Sequence, residues 1–141
     1  MSAAAAAEWI VLKFGGTSVA TLANWRNIAA VVRARSASGA RVLIVHSALS
    51  GVTDLLERLL AAAAGGDYAQ PLAALEQRHR QLAGELGIGL PAAFEQLLLE
   101  LRQTSAGIAL AGAVSERTRA RVMACGELLA TELGAQFLRA V

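Results

Sequence analysis

The stretch Lys13-Phe14-Gly15-Gly16-Thr17-Ser18-Val19 follows directly on the apolar run Trp9-Ile10-Val11-Leu12. A short apolar run that is β-branched in its middle and ends in two glycines predicts a buried strand leading into a tight turn. Two adjacent glycines leave their backbone N–H groups unobstructed and allow positive φ, so the turn can surround an anion. The lysine and the two hydroxyl groups add a positive charge and hydrogen-bond donors. The stretch therefore predicts a phosphate-binding strand–turn–helix.

A second apolar, β-branched run covers residues 41–45, after a segment with helical spacing that we expect to stop near Gly39. One face of that helix would carry Leu22, Trp25, Ile28, Ala29 and Val32. Strand, helix and strand within about 35 residues predict a right-handed βαβ unit with parallel strands. Ligands of such sheets bind beyond the carboxyl ends of the strands.

The second strand also leads into a polar turn, residues 46–53, which precedes an apolar-faced helix. Thr53 is a natural N-cap or first-turn residue of that helix, and Asp54 complements the positive end of its dipole. Because parallel strands bring their carboxyl ends to one edge of a sheet, we expect the two hydroxyl-rich turns to converge there.

After Asp67 the pattern becomes helical. Its apolar stripe has spacings of three and four, which is typical of helix–helix packing, and comprises Leu72, Leu75, His79, Leu82 and Leu86. The stripe breaks at residues 87–91 and resumes. We also predict buried helix over residues 108–114 and a last helix starting at Ser115. The expected fold is α/β, with a parallel sheet of two or three strands beside a large helical segment.

Composition and charge narrow the classes of function. The 141 residues, 55% of them hydrophobic, suit one domain with an aliphatic core. The 13 basic and 11 acidic residues form no basic tract, so we expect no nucleic-acid partner. No apolar run approaches the ~20 residues of a membrane helix, and the single Cys125 has no partner for an internal disulfide. We therefore expect a cytoplasmic protein without a membrane partner, with a flexible tail over residues 1–8.

Three segments together resemble the aspartate kinases of the amino-acid kinase superfamily. They are the opening stretch, then Ser47-Ala48-Leu49-Ser50-Gly51-Val52-Thr53-Asp54, and then Arg121-Val122-Met123-Ala124-Cys125-Gly126-Glu127-Leu128-Leu129. The resemblance covers nearly the whole chain after the tail, and it implies a partial amino-acid kinase fold over residues 9–141. It also implies transfer of the γ-phosphoryl group of ATP, bound with Mg²⁺, to the side-chain carboxylate of L-aspartate, in the biosynthesis of lysine, threonine and methionine.

The resemblance also implies roles by motif position. Lys13 would be catalytic and would stabilise charge on the transferred phosphoryl group. The ATP-phosphate site would comprise Lys13, Phe14, Gly15, Gly16, Thr17 and Ser18. Ser47 and Thr53 would line the aspartate site, Glu127 would hold the substrate's ammonium group, and Gly126 would leave space for a ligand beside the helix. No protein metal site is implied, since Mg²⁺ would arrive with ATP.

Phosphoryl transfer to a carboxylate requires the residue types found in these segments, namely a cation and N–H donors. A carboxylate is already a nucleophile at neutral pH, so the reaction depends on cations and N–H donors rather than on a general base. Structural roles stay open for Ser47, Thr53 and Glu127, because serine and threonine often cap helices and a lone glutamate on a helix is often only solvated. We expect His46, His79 and Cys125 to be structural, since no metal-ligand spacing accompanies the histidines and no activating partner accompanies the cysteine.

Aspartate kinases are longer than this chain and continue with an Arg-Gly-Gly-Ser-Asp segment. We therefore expect an N-terminal fragment of a catalytic domain, inactive alone, whose parent is a homo-oligomer and is in some bacteria fused to a second enzyme; the fragment itself could self-associate. The alternatives are another amino-acid kinase, such as a glutamate kinase, and a non-catalytic helical binding or oligomerisation module.

Overall fold

A computed structural model describes residues 8–141 as two strands and five α-helices with one short 3-10 turn. The elements are β1 (Trp9–Phe14), the 3-10 turn (Gly16–Val19), α1 (Leu22–Ala37), β2 (Arg41–His46), α2 (Val52–Ala64), α3 (Ala69–Leu86), α4 (Ala92–Ala111) and α5 (Glu116–Ala140). Of the tail expected over residues 1–8, residues 1–7 lie outside the described residues. The Glu8 carbonyl accepts a hydrogen bond of 2.8 Å from the Arg41 N–H, which extends the strand pairing.

The two strands pair in parallel, with Trp9 opposite Arg41 and Phe14 opposite His46. This pairing confirms the predicted βαβ unit. Both strands alternate between exposed and half-buried residues, so the expectation of a buried strand is wrong for one face of the sheet. The reason is that the helices of residues 8–141 pack on the other face. The uncovered face carries the large apolar side chains of Trp9, Val11, Leu43 and Val45.

Helix α1 packs through its predicted face. Trp25, Ile28 and Ala29 are buried, and Leu22 and Val32 are half-buried against the core. The Thr21 hydroxyl oxygen caps the helix by accepting a hydrogen bond of 3.3 Å from the Asn24 N–H. The predicted stop is confirmed, because α1 ends just before Gly39, whose φ of +88° no side-chain-bearing residue adopts easily.

Helices α2 to α5 form a bundle around an aliphatic core. All five residues of the predicted α3 stripe are buried: Leu72, Leu75, His79, Leu82 and Leu86. Opposite them, α4 contributes Phe94, Leu98, Leu101 and Ile108. Arg78 joins the bundle to the segment between the 3-10 turn and α1 by donating a hydrogen bond of 3.3 Å to the Ala20 carbonyl. Across residues 8–141, no helix is both long enough and apolar enough to cross a membrane.

The prediction of buried helix over residues 108–114 is right for Ile108, which is buried in α4, and wrong for the rest of the segment. Helix α4 ends at Ala111, Gly112 adopts a φ of +67°, and the Leu110 side chain is 92% exposed. The break is required because the chain must turn before α5, which begins where predicted. There the Ser115 hydroxyl oxygen accepts a hydrogen bond of 3.1 Å from the Thr118 N–H. The segment resembled a buried helix only because it lacks charged residues.

Candidate functional site

The two turns that follow the strands meet at one end of the sheet, as predicted. We call residues 15–19 the first turn and residues 47–51 the second turn. The Ser47 N–H donates a hydrogen bond of 3.1 Å to the Phe14 carbonyl, and the Ser50 N–H donates one of 3.2 Å to the Gly16 carbonyl. Backbone hydrogen bonds therefore fix the second turn against the first.

Gly16 is required because the two turns approach closely. A Cβ atom at this position would lie 2.7 Å from the Ala48 carbonyl oxygen, which is too close for any side chain. Neither Gly15 nor Gly16 has a positive φ, so the expectation that these glycines serve a left-handed conformation is wrong. Around Gly15 a Cβ atom would meet nothing within 4 Å, so this part of the first turn is open.

The first turn presents unused backbone donors. The Ser18 N–H bonds to the Gly15 carbonyl at 3.0 Å, whereas the N–H groups of Gly15, Gly16 and Thr17 make no backbone hydrogen bond to any part of residues 8–141. Consecutive free N–H groups in a turn form a concavity that binds anions. Thr17 is exposed and Ser18 is half-buried, and the Thr17 carbonyl is fixed by a hydrogen bond of 2.7 Å from the Asn24 side chain.

Lys13 and Phe14 lie at the end of β1 and point to opposite faces of the sheet. Phe14 packs against the core, whereas Lys13 is exposed on the face that the helices leave uncovered. Within the described residues the Lys13 ammonium group forms no ion pair. The lysine therefore places a free positive charge beside the open first turn.

Ser47 begins the second turn and Thr53 follows it, and both side chains have free hydroxyl groups. Ser47 is half-buried directly after β2, and Thr53 is exposed in the first turn of α2. The N-cap of α2 is Gly51, with a φ of +83°, so Thr53 does not cap the helix. Neither hydroxyl group takes part in the side-chain hydrogen bonds of residues 8–141. Both remain available to a ligand.

Gly126 brings α5 into contact with the second turn. A Cβ atom on this buried glycine would lie 2.9 Å from the Ala48 Cβ and 3.1 Å from Val52 Cγ1. The space beside Gly126 is therefore filled by packing, which corrects the expectation that it accommodates a ligand. Glu127 follows directly after this contact and is exposed, without an ion-pair partner in the described part of the chain.

Trp25 is a site residue that the sequence pattern identified only as core. Its indole Nε1–H donates a hydrogen bond of 2.8 Å to the Val19 carbonyl of the first turn. Its ring and the His46 ring make a T-shaped contact, with centroids 5.7 Å apart and planes at 87°. A Cβ atom at Gly134 of α5 would lie 2.0 Å from Cη2 of the indole. Gly126 and Gly134 lie about two turns apart on α5, and this spacing is the sequence feature that could have indicated the close approach.

Two further titratable groups lie outside the candidate site. His79 is fully buried; its Nδ1 bonds to the Leu75 carbonyl at 2.8 Å and its Nε2 has no partner within residues 8–141. Burial lowers the pKa of His79, with a smaller contribution from Arg78. Burial likewise raises the pKa of the half-buried Cys125 thiol, which disfavours the reactive thiolate. Within residues 8–141 no group of three or more His, Cys, Asp or Glu side chains could hold a metal ion.

Comparison with known proteins connects this geometry to a family. The aspartokinase of Chlamydia muridarum is 35% identical over 131 residues, which cover 93% of this chain and 28% of that protein. The chloroplastic bifunctional aspartokinase/homoserine dehydrogenase 2 of Arabidopsis thaliana is 33% identical over 132 residues, or 89% of this chain and 14% of that protein. The chain therefore spans less than a third of the length of these relatives.

A solved structure is also similar. The crystal structure of E. coli aspartokinase III in complex with aspartate and ADP superposes with a TM-score of 0.77 at 30% identity, over 94% of this chain and 29% of that one. This match agrees with the partial amino-acid kinase fold expected from the three sequence segments. The amino acid kinase family itself matches residues 8–141. Because that match extends over nearly the whole chain, the chain belongs to the amino acid kinase family.

Proposed function

We propose that this chain forms part of the catalytic domain of an aspartate kinase. The enzyme would transfer the γ-phosphoryl group of ATP to the side-chain carboxylate of L-aspartate and give 4-phospho-L-aspartate, an early step of the pathway to lysine. The observation that carries the proposal is the joined pair of turns, in which three free N–H groups and two free hydroxyl groups lie at one end of the sheet. The similar aspartokinase III structure, which holds aspartate and ADP, supports the same assignment.

The first turn is the proposed phosphate site. The free N–H groups of Gly15, Gly16 and Thr17 would bind phosphate oxygens, with Phe14 and Ser18 shaping the turn. Lys13 would be the catalytic residue. Its ammonium group has no partner among residues 8–141 and can stabilise the charge that develops on the transferred phosphoryl group. Lys13 and the first turn thus supply a cation and N–H donors, which this reaction requires.

The second turn and α5 form the proposed aspartate site. The Ser47 and Thr53 hydroxyl groups would bind the substrate's carboxylate groups, and the exposed Glu127 carboxylate would pair with its ammonium group. The contact between Gly126 and Ala48 supports this pairing of elements, because it brings the residue before Glu127 against the second turn. Since a carboxylate already attacks phosphorus without losing a proton, these residues need only orient it.

Mg²⁺ would enter with the nucleotide. Mg²⁺ keeps several water ligands and is commonly bound through substrate phosphates rather than by an all-protein cage. The free N–H groups of the first turn fit this mode, because they would bind the phosphates that carry the Mg²⁺. Mg²⁺ bound in this way neutralises charge on the phosphates. We further propose that the enzyme is cytoplasmic and that, in its longer form, it is a homo-oligomer.

The chain would supply one corner of the active site. It spans 28% of the Chlamydia muridarum relative, so we propose that residues outside this segment complete the nucleotide and aspartate sites and that the 141-residue chain alone has no turnover. It should nevertheless bind phosphate groups weakly. This expectation separates the proposal from a non-catalytic helical module, which has no reason to bind them.

Binding is testable on the chain itself. In ¹⁵N-labelled protein titrated with tripolyphosphate or Mg-ADP, we expect the amide signals of Gly15, Gly16 and Thr17 to move. L-Aspartate should move the signals of Ser47 and Thr53. Lys13→Met should weaken the phosphate response, whereas the matched exposed-cation variant Arg58→Met on α2 should leave it unchanged. A larger response to L-glutamate than to L-aspartate would favour a glutamate kinase, and no response to any of these ligands would favour the non-catalytic module.

A further inference from the structure

His46 has no role in the proposed chemistry, yet it connects the second turn to α5. The residue ends β2, and its imidazole ring is half-buried. Its Nδ1 lies 2.9 Å from the Ser47 carbonyl oxygen, and its Nε2 lies 3.4 Å from Thr131 Oγ1. Thr131 lies on α5, one helical turn after Glu127. The ring thus touches both elements of the proposed aspartate site.

The hydrogen-bond partners determine which nitrogen carries the proton. A carbonyl oxygen only accepts, so Nδ1 of the neutral imidazole must be the donor to Ser47. Nε2 is then an acceptor and faces the Thr131 hydroxyl group. The exposed Thr131 hydroxyl donates its one proton to the Glu127 carbonyl at 2.8 Å, and Nε2, at 3.4 Å, is a second and weaker acceptor of the same proton. This shared proton links the backbone of Glu127 to His46.

Packing holds the imidazole ring in place. The edge-on contact with Trp25 blocks its movement toward α1. Trp25 is in turn fixed by its hydrogen bond to the Val19 carbonyl and by the close approach of Gly134 on α5. The ring is therefore held between the first turn, the second turn and α5.

We propose that His46 is a positioning residue, which sets where Glu127 stands relative to the second turn. Residues four apart lie on the same face of a helix, so the α5 face that Thr131 presents to His46 also carries Glu127. Contact at Thr131 thus acts together with the Gly126–Ala48 contact in fixing the turn of α5 from which Glu127 projects. The value of that position for aspartate binding rests on the proposed function, whereas the contact itself does not.

The contact is tested by NMR of the imidazole nitrogens at about pH 8, where a free histidine is neutral. The chain has 2 histidines, so His79→Gln assigns the remaining signals to His46. We expect Nδ1 to be protonated and Nε2 to be hydrogen-bonded. Thr131→Val removes the hydroxyl group at nearly constant shape and should shift the Nε2 signal, and Thr131→Ser should restore it. Thr104→Val, on α4, should leave it unchanged.

Position is tested in the same samples. The structure predicts a nuclear Overhauser effect between the Gly126 α-protons and the Ala48 methyl group, and Thr131→Val should weaken it and move the Glu127 amide signal. Aspartate affinity should fall by about 2- to 10-fold, the worth of one hydrogen bond, with Mg-ADP affinity unchanged. Identical imidazole signals in Thr131→Val and wild type, or protonation of Nε2 instead of Nδ1 in the wild type, would overturn the proposal. If aspartate moves no signals of the wild-type protein, the proposed function fails. The imidazole and Overhauser results still decide the role of His46.

Discussion

Gly134→Ala tests how closely α5 approaches the core of the candidate site. The new Cβ atom would lie 2.0 Å from Cη2, 2.6 Å from Cζ2 and 2.8 Å from Cζ3 of Trp25. Carbon atoms pack best at about 3.5–4.0 Å, so either α5 or the indole must move by about 1.5 Å. Neither movement is free, because Trp25 is buried and its Nε1–H is bonded to the Val19 carbonyl.

The expected loss follows from these two effects. Overpacking of a core costs about 1–3 kcal/mol, and breaking a buried hydrogen bond adds about 1–3 kcal/mol. The intrinsic preference of helices for alanine returns about 0.5–1 kcal/mol. We therefore expect Gly134→Ala to lower the free energy of unfolding by about 1–5 kcal/mol, measured by urea denaturation followed by circular dichroism.

Gly107→Ala is the matched control. Gly107 also lies inside a helix, but a Cβ atom there would meet nothing within 4 Å. This substitution should stabilise the protein by about 0.5–1 kcal/mol, so the two glycine-to-alanine changes should have opposite signs. Trp25 fluorescence in a Trp9→Phe background should report the displaced indole in Gly134→Ala alone. Stabilisation by Gly134→Ala equal to that by Gly107→Ala would refute the close approach of α5.

Three other predictions test separate parts of the structure. Gly16→Ala should destabilise the protein by about 1–3 kcal/mol, because its Cβ would lie 2.7 Å from the Ala48 carbonyl, while Gly15→Ala should be nearly neutral in urea denaturation. Lys13→Met should change stability by less than about 0.5 kcal/mol, because the lysine is exposed and free of ion pairs in residues 8–141, so a large loss in thermal unfolding would contradict a ligand-binding role. Because the pKa of His79 is lowered in the folded protein, the unfolded chain takes up this proton at a higher pH than the folded protein does as the pH falls. The free energy of unfolding is therefore retained above pH 6.5 and decreases at lower pH by up to about 1.4 kcal/mol per pH unit. His79→Leu should remove this slope, and a slope unchanged in that variant would assign it to other groups.

Local signals in the sequence predicted the elements well. The β-branched run before Gly15 gave β1 its bounds, and Gly39 marked the end of α1, because both features act through neighbouring residues. The α3 stripe is equally local, since its buried residues recur at helical spacing. Convergence of the two turns was also predictable, because it follows from parallel strand pairing alone.

Contacts between distant segments were harder to predict. A sequence cannot distinguish a glycine that needs a positive φ from a glycine that another part of the backbone approaches closely. The sequence therefore suggests a positive φ at Gly16, whereas the structure shows a close approach of the Ala48 carbonyl. Gly126 was misread for the same reason, since its neighbours Ala48 and Val52 come from a distant part of the chain. Glu127 was identified through the family resemblance, because an exposed helical glutamate has no local signal of its own.

On the uncovered face of the sheet, the apolar pattern of the strands does not predict burial correctly. Apolar residues at every position of a strand usually indicate burial on both faces. Trp9 and Val11 are nevertheless 61% and 60% exposed, because the helices of residues 8–141 pack on one side only. The apolar pattern of β1 is therefore typical of a sheet that is covered on both faces, whereas the helices of residues 8–141 cover only one face.

Turnover by a chimera tests the central claim most directly. Residues 8–141 would replace the matching segment of E. coli aspartokinase III, and ATP-dependent formation of 4-phospho-L-aspartate would be measured by trapping with hydroxylamine. We predict turnover with L-aspartate and little with L-glutamate, and a loss of about 10²–10³-fold in the Lys13→Ala chimera. A chimera that folds as the parent does, yet forms no acyl phosphate or forms it equally well without Lys13, would contradict the assignment of this chain to an aspartate kinase active site.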